Sequence, residues 1–307
     1  MSGDSGGRSM SSSKLFKALF KGRELHALPF IPLAHDLAAK VGQVDRGQMW
    51  ADSAAMVNSL LSTKELCGFD ALTTSVHITG CESGQTAGGE NADCFLLMQE
   101  RADAAVEVTQ RLKHMLKDNT VLGCMVAGPL TLSGGTLKKE EDRFTIARDY
   151  LLQFVKRMGE NRIDLFMLYE NMSTVFENDL TKYVEQTRPL WNALRYYDAQ
   201  PILALRSASA HVIETLAPEV SGIAITDNFF ELDLEWLSRI SDQKKICIGL
   251  PLPEEVFKGS LDILETILSR IAGHFNRRRV FLIPSGEIPS ETDICNIQDC
   301  IKCLDNI

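Results

Sequence analysis

The sequence predicts an α/β protein that forms a single (β/α)8 TIM barrel with a short helical extension at its N-terminus. Short apolar runs alternate with amphipathic stretches eight times, as expected for parallel strands that are each followed by a helix. The 307 residues suffice, because such a barrel typically needs about 250. A two-domain doubly wound protein is the alternative. No Pro/Gly/Ser-rich linker divides the chain, however, and no G-x-G-x-x-G follows the first strand.

The expected strands are short and almost wholly apolar, because both faces of a parallel sheet are buried. They lie at 29–33, 71–76, 121–127, 163–169, 202–205, 222–226, 246–250 and 280–283. The stretches between them repeat apolar residues with helical spacing. They predict helices at 48–67, 99–117, 139–158, 179–197, 208–216, 232–240, 261–274 and 294–304.

The N-terminal segment predicts a tail and one helix outside the barrel. Residues 1–13 are rich in Ser and Gly and lack an apolar signal region, so we expect a disordered tail before one barrel domain at 14–307. Residues 14–21 have helical spacing with basic residues between the apolar ones, which fits a helix packed under the barrel or one lying on a membrane. At two turns the packed helix is favoured, and no run of 18 apolar residues predicts a membrane span.

Composition excludes several classes of protein. Apolar residues make up 45% and charged residues 24%, which argues against bulk disorder and fibrous repeats. The net charge of −9 argues against nucleic acid as a partner. Eight cysteines occur without the paired spacing of a zinc finger, and no secretory signal precedes them. We therefore expect a cytoplasmic protein whose cysteines are free thiols.

The loop after the third expected strand reads Val126-Ala-Gly-Pro-Leu-Thr-Leu132. It resembles the Gly-Pro-Phe/Leu-Thr segment of the uroporphyrinogen decarboxylase superfamily, which includes decarboxylases of haem biosynthesis and zinc methyltransferases that move methyl groups between corrinoid proteins and thiols. The resemblance extends from about residue 14 to 307. The other landmarks, in the expected order, are Leu15-Phe-Lys-Ala-Leu-Phe-Lys-Gly-Arg-Glu24, Pro29-Phe-Ile-Pro32, Cys67-Gly-Phe-Asp70, Ile225-Thr-Asp227 and Ile288-Pro-Ser-Glu-Thr292.

The chain departs from both catalytic sets of that superfamily. Where the zinc methyltransferases place a His-x-Cys and a later Cys, this sequence has Arg206, Ala208 and Gly286, so we expect no metal and no cofactor. The decarboxylases' Arg-rich N-terminal segment is replaced by Leu33-Ala-His-Asp36, and their Gly-His-Gly by Ser285-Gly-Glu287. Their sixth-strand Asp matches Asp227, to which the resemblance assigns a catalytic role.

Three polar residues at strand ends are the candidate catalytic groups, because barrel active sites lie at that face. Glu170 follows a buried run, so it is either an acid or base with a raised pKa or a structural carboxylate that accepts loop N–H groups. Arg206 either anchors a carboxylate or phosphate or pairs with a neighbouring acid. Asp227 either stabilises positive charge in an intermediate or caps the next helix.

Six further residues are candidates for binding substrate. His35 and Asp36 follow the first strand as an acid/base pair, or as a loop residue and a helix cap. The others are His77 in a Gly/Ser/Thr-rich loop, Asn171, Asn228 and Glu287. Glu287 occupies a family glycine position and is either a new functional group or a surface charge.

These residues support three hypotheses. The first is a divergent, metal-independent lyase of the decarboxylase type that acts on a small carboxylated or tetrapyrrole-like molecule. The second is a methyltransferase relative that acts with a corrinoid protein or thiol acceptor. The third is a catalytically silent barrel that binds a ligand or partner. The resemblance is compatible with a homodimer paired at the barrel mouth, although nothing in the helix patterns requires one.

Overall fold

The structure is a computed structural model that describes residues 11–76, 94–116, 119–133, 141–171 and 179–305. Seven parallel strands form one sheet in chain order, each paired with the next. The strands are Ala71–Val76 (β1), Val121–Ala127 (β2), Leu165–Asn171 (β3), Gln200–Arg206 (β4), Gly222–Ile225 (β5), Cys247–Leu252 (β6) and Val280–Pro284 (β7). The sheet curls as in a TIM barrel, which confirms the expected fold class.

Thirteen helices surround the sheet or extend from it within the described ranges. They are Ser12–Phe20 (α1), His35–Val41 (α2), Arg46–Ala51 (α3), Ser53–Cys67 (α4), Cys94–Leu116 (α5), Pro129–Leu132 (α6), Glu141–Glu160 (α7), Leu180–Tyr196 (α8), Ala210–Leu216 (α9), Leu234–Lys244 (α10), Glu254–Phe257 (α11), Leu261–Phe275 (α12) and Ile294–Asp305 (α13).

The helix expected at 48–67 is interrupted because the Asp52 carboxylate accepts the N–H groups of Ala54 and Ala55, which starts α4 anew.

The eighth expected strand, 29–33, forms only a single bridge, between Phe30 and Leu282. Pro29 and Pro32 have no backbone N–H, so the segment cannot donate the regular series of hydrogen bonds that pairs one strand with its neighbours. Its remaining groups still bond to both neighbours: Ile31 N donates to Leu282 O on β7 at 2.9 Å, and the Thr73 hydroxyl of β1 donates to Pro32 O at 2.6 Å. The segment therefore occupies the eighth position around the ring without being a strand.

Residues alternate between two cores along each strand. Leu165, Met167 and Tyr169 of β3 belong to the interior cluster, while Phe166 and Leu168 belong to the layer under the outer helices. In β4 the interior residues are likewise every second one. This alternation decides which strand-end side chains face the mouth of the barrel.

Helix α1 closes the N-terminal end of the barrel. Its residues Leu15, Phe16 and Leu19 are buried in the interior cluster, and the Cys247 thiol of β6 contacts Leu19 O at 3.4 Å. Its lysines remain on the exposed side. The expectation of a helix packed under the barrel is confirmed. Within the described residues no helix has the length and apolar character needed to cross a bilayer.

Truncating the buried face of α1 should destabilise the whole barrel. We expect Leu19→Ala to lower the free energy of unfolding by about 2 to 5 kcal/mol, because it leaves a cavity beneath the strands. The matched control, Lys17→Ala on the exposed face, should change it by less than about 0.5 kcal/mol. Urea unfolding followed by circular dichroism measures both, and equal small effects would show that α1 is dispensable.

Candidate functional site

Three of the candidate residues lie at neighbouring strand ends on the C-terminal rim. Asn171 ends β3 and is the Cα partner of Arg206, which ends β4. Because Ile202 and Ala204 face the interior, alternation places Arg206 over the barrel mouth. The backbone N–H of Ser207 donates to the Asp227 carboxylate at 2.7 Å. The exposed guanidinium of Arg206 is thus followed in the chain by Ser207, whose backbone N–H is bound by the half-buried carboxylate of Asp227.

Asp227 does not cap the helical turn that follows it. Asn228 does: its side-chain oxygen accepts the N–H of Phe230 at 3.1 Å, and its amide donates to Glu231 at 3.0 Å. Ser207, which Asp227 contacts, has a φ of 56°. The Asp227 carboxylate therefore fixes an unusual backbone conformation next to Arg206, and Asn228 has the role of a cap.

Glu170 faces away from the barrel mouth. Its neighbour Tyr169 belongs to the interior cluster, and Glu170 itself contacts the outer layer. The carboxylate is fully buried and accepts four hydrogen bonds: from Leu130 N at 3.0 Å, from Thr131 N at 2.7 Å, from the Thr131 hydroxyl at 2.6 Å and from the Tyr183 hydroxyl at 3.0 Å. This contact set matches the structural alternative, a carboxylate that receives loop N–H groups.

The tightness of this packing explains the glycine in the Gly-Pro-Leu-Thr segment. A Cβ on Gly128 would lie 2.3 Å from the Glu170 carboxyl carbon, so a larger residue would displace the carboxylate. Burial raises the pKa of Glu170 to about 7, while its hydrogen bonds with Thr131, Leu130 and Tyr183 oppose that rise. Desolvation is thus the stronger effect even with four donors present.

His35, which is fully buried, pairs with the part-buried Glu287 across the ring closure. The Glu287 carboxylate accepts the His35 backbone N–H at 3.0 Å and lies 2.9 Å from His35 Nδ1. His35 Nε2 lies 2.9 Å from Thr73 O, which can only accept, so this nitrogen carries a hydrogen. Both ring nitrogens therefore face acceptors when Glu287 is ionised, which is the arrangement of a protonated imidazole.

The surroundings of Glu287 favour its ionised form. Burial alone would raise the pKa of Glu287, but the charge and hydrogen bonds of His35 and the charge of Arg46 hold that pKa below its ordinary value. The His35 imidazole also stacks on the Trp50 ring, with 5.2 Å between the ring centroids. The Arg101 guanidinium lies 5.2 Å from the centroid of that Trp50 ring. Since His35 has no exposed surface, the contacts support a role in holding the ring closed.

Asp36 lies at the surface beside this pair. It forms an ion pair with Arg46 at 2.7 Å, which ties α2 to α3. Burial, the largest effect, raises the pKa of Asp36 above its ordinary value, although Arg46 opposes the rise. His77 lies outside the described residues.

The described residues do not provide a zinc site. The rim has Arg206 and Ala208 after β4 and Gly286 after β7, none of which supplies a nitrogen or sulfur ligand for zinc. Within the described ranges, no three His, Cys, Asp or Glu side chains come close enough together to hold a metal ion. This donor set does not fit the metal of the zinc methyltransferases.

Sequence reasoning missed the partners that decide these roles. In the sequence Thr131 is marked only as part of the Gly-Pro-Leu-Thr motif, although it gives Glu170 two hydrogen bonds. Tyr183 and Thr73 lie within a helix and a strand, where no pattern marks them as polar partners. The half-buried Arg46 carries no signal in the sequence either. Only the Gly128 position, where a tight approach excludes a side chain, offered a sequence clue.

Comparison with known proteins shows the fold and no family. No family model matches the chain, and no curated protein matches it in sequence. Among solved structures, a methyltransferase from Methanosarcina mazei superposes with a TM-score of 0.73 at 12% identity, over 97% of this chain and 99% of that one. A B12-independent methionine synthase from Shewanella superposes with a TM-score of 0.62 at 11% identity, over 91% and 97%. Both are TIM-barrel-like, and at these identities the likeness establishes architecture alone.

Breaking the His35–Glu287 pair should be costly because it leaves the part-buried carboxylate of Glu287 without its partner. We expect His35→Ala to lower the free energy of unfolding by about 3 to 5 kcal/mol. Glu287→Ala should also destabilise the protein, and the double variant should lose less than the sum of the two by about 1 kcal/mol or more. Denaturant unfolding of the four proteins measures this coupling, and strict additivity would contradict it.

Glu170 should make stability fall as pH rises. Its pKa is about 7 in the folded state, against about 4.3 in the unfolded state. Between these values the folded protein holds a proton that the unfolded chain has released, so this stabilisation is complete below about pH 4 and lost above about pH 7.

We expect the free energy of unfolding of the wild type, relative to Glu170→Gln, to decrease by up to about 1.4 kcal/mol per pH unit inside that window. Urea unfolding of both proteins at several pH values measures the difference. A difference that does not change with pH would show that Glu170 keeps an ordinary pKa.

Proposed function

We propose that this chain is a methyltransferase-like enzyme of the uroporphyrinogen decarboxylase superfamily that binds a small carboxylate-bearing substrate at the rim between β3 and β5. The observation that carries the proposal is that Arg206 ends β4 while Asp227, just beyond the paired strand β5, accepts the N–H of the next residue, Ser207. Reacting groups of TIM-barrel enzymes lie at this face. The order of the landmarks from residue 14 to 307 supports the superfamily.

The structural likeness favours methyl transfer over the other reactions considered. The Methanosarcina methyltransferase matches nearly the full length of both chains, and the second match is a methionine synthase. The lyase hypothesis relied on two carboxylates at the mouth, and Glu170 faces the outer layer instead. A tetrapyrrole substrate with many carboxylates would also require a strongly cationic pocket, whereas this rim combines Arg206 with Asp227 and Glu287.

The rim groups suit a transfer in which the acceptor carries both a carboxylate and an X–H group. The planar guanidinium of Arg206 binds the carboxylate with two parallel hydrogen bonds. Asp227 takes the proton of X–H as X attacks the methyl carbon. The X–C bond forms, the bond from methyl to donor breaks, and the donor leaves with the bonding electron pair. Arg206 and Asp227 thus supply orientation and base catalysis.

Binding of a carboxylate probe tests the first half of this proposal. We expect 3-mercaptopropionate to bind the wild type and to bind Arg206→Gln at least about tenfold more weakly, because a charged hydrogen-bonded pair is lost. Arg206→Lys should fall between them, since it keeps the charge and loses the planar fork. Arg239→Gln, an exposed arginine on α10, is the control of equal charge change. Isothermal titration calorimetry measures all four.

Product formation tests the second half. With methylcobalamin as methyl donor and 3-mercaptopropionate as acceptor, mass spectrometry should detect the S-methyl product, and Asp227→Asn should form it at least about a hundredfold more slowly. If the wild type binds 3-mercaptopropionate but neither it nor the variant forms the S-methyl product, the silent ligand-binding barrel is favoured. Release of CO2 from a carboxylated substrate, lost in Asp227→Asn, would favour the lyase.

A further inference from the structure

A chain of hydrogen bonds runs from the buried Glu170 to the rim. The Thr131 hydroxyl lies 2.6 Å from a Glu170 carboxylate oxygen and 3.2 Å from the backbone N–H of Asn171, which donates to it. A hydroxyl has one hydrogen to donate, and the other acceptor within its reach, Tyr169 O, is farther away at 3.3 Å. While that hydrogen points to the carboxylate, the lone pairs of the same oxygen remain available to the Asn171 N–H.

The far end of this chain lies beside the proposed ligand anchor. Asn171 and Arg206 are Cα partners in the β3–β4 ladder, and both end their strands. The backbone of Asn171 is therefore held on one side by β4 and on the other by Thr131. Any change that turns the Thr131 hydroxyl away removes one of these two restraints.

Only a carboxylate satisfies all the donors around Glu170. Leu130 N donates to Oε1 and Thr131 N donates to Oε2, so both oxygens must accept from a backbone N–H. The amide of a glutamine offers one accepting oxygen and would place its NH2 group against the other N–H. The turn 128–131 therefore depends on the carboxylate and not merely on a side chain of that size.

We propose that Glu170 is a positioning residue for the rim, whose carboxylate fixes Thr131 and, through Thr131, the strand end at Asn171 beside Arg206. This inference rests on the proposed ligand site at Arg206. Glu170 touches no ligand in this scheme. It acts through the orientation of one hydroxyl group and the backbone amide bound to it.

The environment makes this restraint sensitive to pH near neutrality. Burial raises the pKa of Glu170 to about 7, so both of its protonation states are accessible there. The groups that face it are Thr131 from α6 and Tyr183 from α8, and burial raises the pKa of Tyr183 well above its ordinary value. Among the groups that contact it within the described residues, Glu170 is the one that titrates in this range.

Hydrogen exchange of the Asn171 amide tests the inference directly in the ligand-free protein. We expect Glu170→Gln and Thr131→Val each to speed this exchange at least about tenfold. Thr131→Ser, which keeps the hydroxyl, should resemble the wild type. In the wild type the protection of Asn171 should increase as pH rises through about 7, and this rise should be absent in Glu170→Gln. Unchanged protection in both disrupting variants, measured by NMR, would overturn the inference.

Affinity for 3-mercaptopropionate is the second measurement. Glu170→Gln and Thr131→Val should each bind it several-fold more weakly, and the double variant should be no weaker than the worse single variant. Should Glu170→Gln not fold, Thr131→Val alone still decides the question, because it keeps the backbone donor to Glu170. If Arg206→Gln binds like the wild type, the proposed function fails, while the exchange of Asn171 still decides whether Glu170 positions the rim.

Discussion

The ring depends on the hydrogen bonds that hold the segment before α2 between β7 and β1. Two prolines prevent this segment from forming a strand, so the usual ladder is replaced by a few specific bonds. His35 supplies two of them, to Thr73 on one side and to Glu287 on the other. Because His35 and Thr73 are buried and Glu287 is part-buried, each bond counts for more than it would at the surface.

The polar groups at the C-terminal end divide into a buried set and an exposed set. His35 and Glu170 have no exposed surface and satisfy backbone groups. Arg206 is exposed, and Asp227 is half-buried. Such a division is expected of a site whose reactive groups are held by a rigid supporting layer. Burial disfavours the ionised form of Glu170. The ionised carboxylate that orders the rim above neutral pH therefore lowers the free energy of unfolding of the protein.

Most of the architecture could be predicted from the sequence because its strands are buried on both faces. That burial makes most of the strands continuous apolar runs, and seven of the eight predicted strands are present within a few residues. The same property concealed the direction of Glu170. Because both faces of β3 are apolar, the alternation of residues does not show which ones point into the barrel. The sequence therefore does not tell whether Glu170 faces the barrel interior or the outer helices.

One other feature lies outside the reach of the sequence, and a second can be read from it. The partners His35 and Glu287 are 252 residues apart, so no local pattern joins them. The segment 29–33 has the apolar composition of a strand, but its two prolines lack the N–H groups that a strand ladder needs. The strand-end positions of Arg206 and Asn171 were predicted correctly, since a strand end is set by where the apolar run stops.

A crystal structure of the protein with bound 3-mercaptopropionate tests the central claim most directly, which is that the rim between β3 and β5 binds a carboxylate. The account predicts that the carboxylate lies in bidentate contact with Arg206, with the thiol near Asp227 and Asn171 at the edge of the same site. A ligand held at the N-terminal end beneath α1, or no ligand at Arg206 under saturating conditions, would contradict it.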